Sequence, residues 1–159
     1  MSEEHFEIEQ LTAASGHGTT IAALQFKLWG SRTGHNSAGE YEHFLREAAC
    51  SDSLPTVLVA RRGPIFLGSV NLLISEMRIR PLLSPWMAQL FVTEEARGRG
   101  VGNALAGAAV THTARLGFRR IYLYTSGTLP SYYALLGWKQ IEESEYLGKV
   151  RTVMAFDLR

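Results

Sequence analysis

The sequence predicts an α/β domain with a mixed β-sheet, and three observations carry that prediction. Apolar and acidic residues alternate over Phe6–Leu11, the period of a half-buried strand. Two β-rich runs, Thr56–Ala60 and Ile65–Ile74, flank the turn-forming residues 61–64 and predict a hairpin. A third run, Met87–Val92, leads into a glycine-rich loop and a long helical pattern, which indicates a parallel strand–helix–strand crossover.

Two helices are predicted between the first strand and the hairpin. Thr19 and Thr20 are suitable caps for the first helix, which we expect to end near Gly30. Polar and turn-forming residues at 30–37 predict a loop before the second helix. The apolar positions at helical spacing are Ile21, Leu24 and Leu28, widened by Phe26 and Trp29, in the first helix and Tyr41, Phe44, Leu45 and Ala48 in the second.

The second half of the chain continues the alternation of helices and strands. The long helix carries Val101, Leu105, Ala108 and Leu116 on one face, and Gly117 closes it. The elements predicted after it are a strand at Ile121–Tyr124, a short helix at Pro130–Leu136 ending at Gly137, and strands at Trp138–Glu145 and Val150–Leu158. Without a repeat or linker, residues 1–159 are expected to form a single domain.

Composition excludes several classes of protein. Hydrophobic residues make up 46% of the chain and charged residues 19%, as in globular proteins. A formal charge of +1 does not suit nucleic-acid binding, and no apolar run is long enough to span a membrane. Because Cys50 is the only cysteine, no intramolecular disulfide is expected and a cytoplasmic location is predicted. Cys50 itself is either a core residue at a helix end, which its burial tendency favours, or a free thiol. Neither CxxC nor HExxH occurs, so no metal is expected.

The glycine-rich loop is the clearest candidate for chemistry. It reads Arg97-Gly98-Arg99-Gly100-Val101-Gly102 and opens the long helix. Glycines let a ligand approach the backbone, and the first N–H groups of a helix form an anion site that the two arginines reinforce. A dinucleotide motif fails because Asn103 or Leu105 stands at its third glycine. A P-loop fails because Ser69-Val70 replaces its Lys-Ser/Thr pair. The loop therefore predicts a pyrophosphate site.

These residues resemble the GNAT superfamily of N-acetyltransferases. Arg97, Gly100 and Gly102 match its cofactor motif Gln/Arg-x-x-Gly-x-Gly/Ala. The segment 132–138, Tyr-Tyr-Ala-Leu-Leu-Gly-Trp, is similar to the Phe/Tyr-Tyr-x-x-x-Gly-Phe/Trp segment of the family, and residues 150–156 resemble its last strand. The resemblance covers the whole element order, and its specific part runs from Met87 to Trp138.

The resemblance implies a GNAT-like fold, with a mostly antiparallel mixed sheet whose splayed central strands bind acetyl-CoA or a close acyl-CoA. It places the pantetheine arm along the strand end Leu90, Phe91 and Val92. The pyrophosphate would lie on the segment Gly98, Arg99, Gly100, Val101, Gly102 and Asn103, beside Arg97. An amine would then attack the thioester carbonyl directly in a ternary complex.

The same resemblance makes Tyr133 the candidate catalytic residue, because it matches the family tyrosine that protonates the departing thiolate. Packing against Trp138 is its purely structural interpretation. Ser126 stands where the family often has an asparagine that touches CoA. Neither Glu76 nor His112 is assigned as general base, because a surface turn and a hydrogen-bonded core position explain them better.

Two other functions remain open. The chain would be a CoA-sensing domain if it lacked catalysis, or a protein-interaction module if Trp29, Trp86 and Trp138 formed a partner surface. The acceptor amine, on a small molecule or a protein, is expected to contact residues 29–40 and 142–149. Glu142, Glu143 and Glu145 form the only acidic cluster there, and a homodimer is left open.

Overall fold

A computed structural model describes residues 5–12, 18–30, 35–48 and 53–158. Within these ranges the chain forms seven strands and four helices in the predicted order. The elements are β1 (Glu7–Gln10), α1 (Gly18–Trp29), α2 (Ala38–Ala48), β2 (Thr56–Arg62), β3 (Ile65–Leu73), β4 (Trp86–Val92), α3 (Val101–Arg115), β5 (Arg120–Thr125), α4 (Leu129–Leu135), β6 (Lys139–Tyr146) and β7 (Lys149–Asp157). The predictions for Cys50 and for residues 31–34 of the polar loop fall outside the described residues.

The strands pair in the order β1-β2-β3-β4-β5-β7-β6. The ladders β1–β2, β5–β7 and β6–β7 are antiparallel, and β4–β5 is parallel, which confirms the mixed, mostly antiparallel sheet. The parallel ladder contains one register pair, Trp86 with Tyr122, as the predicted splay of these two strands requires. None of the described helices combines the length and apolar content needed to cross a membrane.

By its internal contacts the chain divides into two compact units. The first unit comprises Met1–Asn71 and Gln89–Ala108, and the second comprises Leu72–Ala88 and Ala109–Arg159. The single domain over residues 1–159 therefore stays a prediction.

The core of the first unit lies between its helices and its first strands. Its buried residues are Leu11, Ile21, Ala22, Tyr41, Leu45, Val57 and Val59. Helix α2 buries Tyr41, Leu45 and Ala48, three positions one turn apart, as predicted. Its first turn is capped by Ser37, whose Oγ accepts a hydrogen bond from the Glu40 N–H at 3.1 Å.

The predicted buried face of α1 is wrong in part. Ile21 is buried, but the other buried positions are Ala22 and Gln25, and Leu28 is 48% exposed. The helix is turned so that an amide, not a leucine, faces inward. The buried polar residues Ser69 and Asn71 of β3, which hydrogen bond to Gln25, are the physical reason.

The second unit is built around the antiparallel strands β5, β7 and β6. Met77, Trp86 and Val153 form a core cluster, and the indole Nε1 of Trp86 donates to the Leu83 carbonyl at 2.6 Å. The predicted bounds of α4, β6 and β7 were each shifted by one residue from the observed ones. The shifts arise because hydrogen bonds define the element ends, whereas apolar spacing defines only their interiors.

Candidate active site

The last part of β4 departs from regular strand geometry at Gln89. Its φ is +48°, a left-handed conformation that is uncommon outside glycine and needs surrounding contacts to hold it. Such a residue inside a strand turns the backbone that follows it, as β-bulges do. The backbone of Leu90, Phe91 and Val92, the predicted pantetheine site, follows directly.

A buried polar cluster, which we call the amide cluster, surrounds this turn: Gln25, Tyr41, Ser69, Asn71 and Gln89. The Nδ2 of Asn71 donates to Tyr41 Oη at 2.7 Å and to Gln89 Oε1 at 3.1 Å. The Nε2 of Gln25 lies 3.2 Å from both Ser69 Oγ and Asn71 Oδ1, and 3.5 Å from the Gln89 carbonyl oxygen. Tyr41 in turn donates to Gln25 Oε1. Every one of these side chains except that of Gln89 is fully buried.

Gly68 on β3 lets the end of β4 pass close by. A Cβ at this position would lie 2.5 Å from the Phe91 carbonyl oxygen and 3.2 Å from the Val92 Cα. Both neighbours are backbone atoms, which cannot move aside cheaply. The Thr93 N–H donates to the Leu67 carbonyl at 2.8 Å, so the backbone is fixed here as well.

The glycine loop has the conformation that an anion site needs. Gly98 and Gly100 have φ values of +76° and +84°, and both are exposed. The Gly100 carbonyl accepts the first helical bond, from the Ala104 N–H at 3.0 Å, so the loop runs straight into the 15-residue helix α3. The N–H groups of its first turn point out of the start of the helix and carry the positive end of its dipole.

The remaining loop residues anchor or flank this turn. Val101 is buried and fixes the start of α3, whereas Gly102 is half-buried and Asn103 is exposed. Both arginines of the motif are exposed, and Arg97 Nε donates to the Val92 carbonyl oxygen at 3.2 Å. The loop is thereby tied to the end of β4 by a side chain that can also meet an anion.

Arg99 lines a cavity of about 170 Å³ within the first unit. The cavity walls are mostly apolar and include Phe6, Phe66 and Val101, with Arg62 on the same lining. Arg99 of the glycine loop thus also borders a small, mostly apolar cavity.

Tyr133 lies in the second unit, near the end of α4. Its side chain is 8% exposed, with the Tyr132 ring at 5.0 Å and the Trp138 ring at 6.2 Å between centroids. Burial, aided by the charge of Tyr132, raises the pKa of Tyr133 to about 12. The phenol therefore keeps its proton at neutral pH.

Other residues considered from the sequence have more ordinary settings. Glu142 forms a two-oxygen ion pair with Arg80, while Glu143 and Glu145 are exposed. His112 is half-buried, and its pKa is lowered by burial and by Arg115. Glu76 is half-buried as well.

A surface of three tryptophans is not what the structure shows. Trp86 and Trp138 are 0% and 3% exposed, so they belong to the interior, and only Trp29 is partly accessible. Among the described residues, no three His, Cys, Asp or Glu side chains come together as metal ligands.

Sequence reasoning missed the amide cluster and the contact at Gly68. The sequence does contain signals of the amide cluster: Gln25 interrupts an apolar helix face, and Ser69 and Asn71 interrupt the β-rich run of β3. Polar side chains in such positions are rarely buried without partners.

Comparisons with known proteins bear on the family and the fold of this chain. The sequence model of the acetyltransferase (GNAT) family matches residues 21–137. No curated protein is similar enough in sequence to count as a match.

Many solved structures share the fold. A GNAT-family acetyltransferase from Streptococcus pneumoniae superimposes with a TM-score of 0.72 at 16% identity, covering 98% of this chain and 100% of that one. An aminoglycoside 6'-N-acetyltransferase complexed with coenzyme A gives 0.73 at 14% identity, covering 96% and 97%. A mutant spermidine N-acetyltransferase from Vibrio cholerae gives 0.72 at 19% identity, covering 96% and 94%. At these identities, the likeness shows the fold.

The family match spans well over half of the chain, and the fold agrees with it. The chain therefore belongs to the GNAT acetyltransferase family. By class it is an acyl-CoA-dependent N-acetyltransferase.

Proposed function

We propose that this enzyme transfers an acetyl group from acetyl-CoA directly to a primary amine, on a small molecule or a protein, in a ternary complex and without a metal. The observation that carries the proposal is the glycine loop. Gly98 and Gly100 turn an exposed backbone into the N-terminus of a 15-residue helix. That arrangement suits a pyrophosphate, the charged group of CoA.

The residues present fit the cofactor. Because the φ values of Gly98 and Gly100 are positive, the loop N–H groups can point toward one ligand without a side chain intervening. Arg97 and Arg99 add full charges, and Val101, Gly102 and Asn103 supply the first-turn N–H groups of α3. We propose the backbone of Leu90, Phe91 and Val92 as the binding site for the pantetheine arm.

We propose Tyr133 as the general acid. Acetyl-CoA supplies an activated thioester: the amine nitrogen forms the new C–N bond, the C–S bond breaks, and the sulfur takes up a proton. A buried phenol with a pKa of about 12 is protonated throughout the neutral range and can supply that proton or a hydrogen bond. The acceptor amine loses its own proton to water in this scheme.

The acceptor is left at the level of a primary amine. Two proteins of the same fold are named for aminoglycoside and spermidine acetylation. Both acceptors are amines, which supports the class of substrate. A cytoplasmic location and a homodimer stay predictions.

The test is thiol release from acetyl-CoA over a panel of primary amines, with CoA binding followed by calorimetry. Amine-dependent release together with CoA binding is the expected result. Binding with no release for any amine would favour the sensing domain, and no CoA binding would favour an interaction module. Added chelator should leave both measurements unchanged.

A further inference from the structure

The amide cluster contains more buried polar groups than packing alone requires. Four of its five side chains are fully buried, and each hydrogen bonds to another member. Burying polar groups is costly, so such clusters persist where they hold a particular geometry. The unusual geometry that this cluster contacts is the left-handed backbone conformation of Gln89.

The cluster reaches Gln89 both at its side chain and at its backbone. Asn71 Nδ2 donates to the side-chain Oε1 at 3.1 Å, and Gln25 Nε2 lies 3.5 Å from the backbone carbonyl oxygen. Asn71 is the closer of the two, and its amide is itself oriented by Tyr41 and Gln25. A return of Gln89 to an extended conformation would move both of these oxygen atoms away from their fully buried donors.

The direction of the next residues follows from this turn. After Gln89 the backbone of Phe91 and Val92 passes close to Gly68. It continues to Thr93, whose N–H donates to the Leu67 carbonyl oxygen. The Gly68 contact limits how close this backbone lies to β3. The φ of Gln89 sets the twist of the backbone that follows it. It therefore decides which way the N–H and C=O groups of Phe91 and Val92 point.

We propose that Asn71, supported by Gln25, is a positioning residue for the cofactor: it holds Gln89 in the left-handed conformation and so aims the backbone of Phe91 and Val92 at the pantetheine arm. The inference rests on the proposed function, since it needs CoA to bind this segment. Asn71 acts through Gln89 and does not itself touch the cofactor.

The test compares two buried polar residues of the same cluster. Asn71→Ala removes the bond to Gln89 together with the other bonds of Asn71 within the cluster. Ser69→Ala removes a bond of the same cluster, to Gln25, and leaves the bond between Asn71 and Gln89 in place. Both variants should lower the melting temperature. Only Asn71→Ala should raise the Kd of CoA, by about tenfold, since Kd rises as the binding-competent fraction falls. The KM for acetyl-CoA should rise with it, while kcat stays within about twofold because saturating cofactor selects the competent conformation.

A rescue separates positioning from a loss of stability. Glycine adopts a positive φ without penalty, so Gln89→Gly in the Asn71→Ala background should recover most of the CoA affinity. The melting temperature should stay low in that double variant, since the cluster is still broken. Should Asn71→Ala not fold, Gln89→Met tests the same bond from its other end, because it keeps the length of the side chain and loses Oε1.

Each possible result either supports or overturns the positioning role of Asn71. A similar loss of CoA affinity in Asn71→Ala and Ser69→Ala, or no recovery with Gln89→Gly, would show that the cluster acts only through stability. CoA binding unaffected by Asn71→Ala would overturn this inference and leave the proposed function standing. No CoA binding by the wild-type protein would overturn both.

Discussion

The glycine loop of the first unit and the corner around Tyr133 in the second unit are built in opposite ways. Residues 97–100 are all exposed, and their shape depends on two glycines in left-handed conformations. Tyr133 is 8% exposed and is held by aromatic neighbours. We propose that the first region binds its ligand through the backbone and that the second acts through a side chain. Changes in the loop should therefore alter cofactor binding, and changes at the corner should alter the rate.

The largest expected effect is at the corner. Tyr133→Phe keeps the ring and its packing but removes the proton donor, so kcat should fall by about 10²- to 10³-fold. The Kd of CoA should stay within about threefold, because the lost interaction belongs to the transition state. Steady-state kinetics and calorimetry measure the two quantities.

Tyr132→Phe is the matched control for that change. Its ring stands 5.0 Å from that of Tyr133, yet it is more exposed, and we assign it to packing. It should cost little in rate. Equal losses from the two substitutions would mean that the corner is a packing site and not an active site.

The second-largest expected effect is on CoA affinity and comes from a change in the glycine loop. Gly100→Val places a β-branched residue at a φ of +84°, which it cannot adopt without strain, so the loop must change shape. CoA affinity should fall more than tenfold, or about 1.4 kcal/mol. Gly107→Ala is the control: it lies within α3, meets nothing within 4 Å, and should leave binding unchanged while slightly stabilising the helix. Unchanged CoA affinity in Gly100→Val would contradict the loop assignment.

A smaller effect is expected from the exposed charge of Arg97. Arg97→Gln should weaken CoA by about threefold to fivefold, since exposed ion pairs contribute up to about 1 kcal/mol. The difference from wild type should shrink as salt is added. Arg46→Gln on α2, also an exposed arginine, should change neither affinity nor its salt dependence. A salt-independent loss at Arg97 would point instead to its bond with the Val92 carbonyl.

The smallest expected effect concerns pH: the phenol of Tyr133 should not titrate in the neutral to mildly alkaline range. Because burial raises the pKa of Tyr133 to about 12, its protonated form is present at all lower pH values and is lost only as the pH rises through 12. Its ionisation should therefore not lower kcat between pH 7 and 10. Tyrosinate absorbance should show a step near pH 12 that Tyr133→Phe removes. A step near pH 10 that disappears in this variant would contradict the buried setting.

The element order and the glycine loop were predictable because both leave local signals. Strand β4, the loop and α3 follow one another in sequence, and the need for glycine at 98 and 100 is a property of single residues. Apolar spacing located α2 and its buried face correctly. The same reasoning was wrong about part of the buried face of α1, where Gln25 is buried and Leu28 is exposed, because spacing does not reveal what a helix packs against.

The sequence by itself determined the family, the order of the elements and the place of the glycine loop at the start of α3, since these depend on residues adjacent along the chain. Tertiary structure alone decided which polar side chains are buried together. Gln25, Asn71 and Gln89 are separated by 46 and 18 positions, and they meet only because α1, β3 and β4 pack. Packing likewise decided that Gly68 is needed for space, since the atoms that a Cβ would strike belong to another strand.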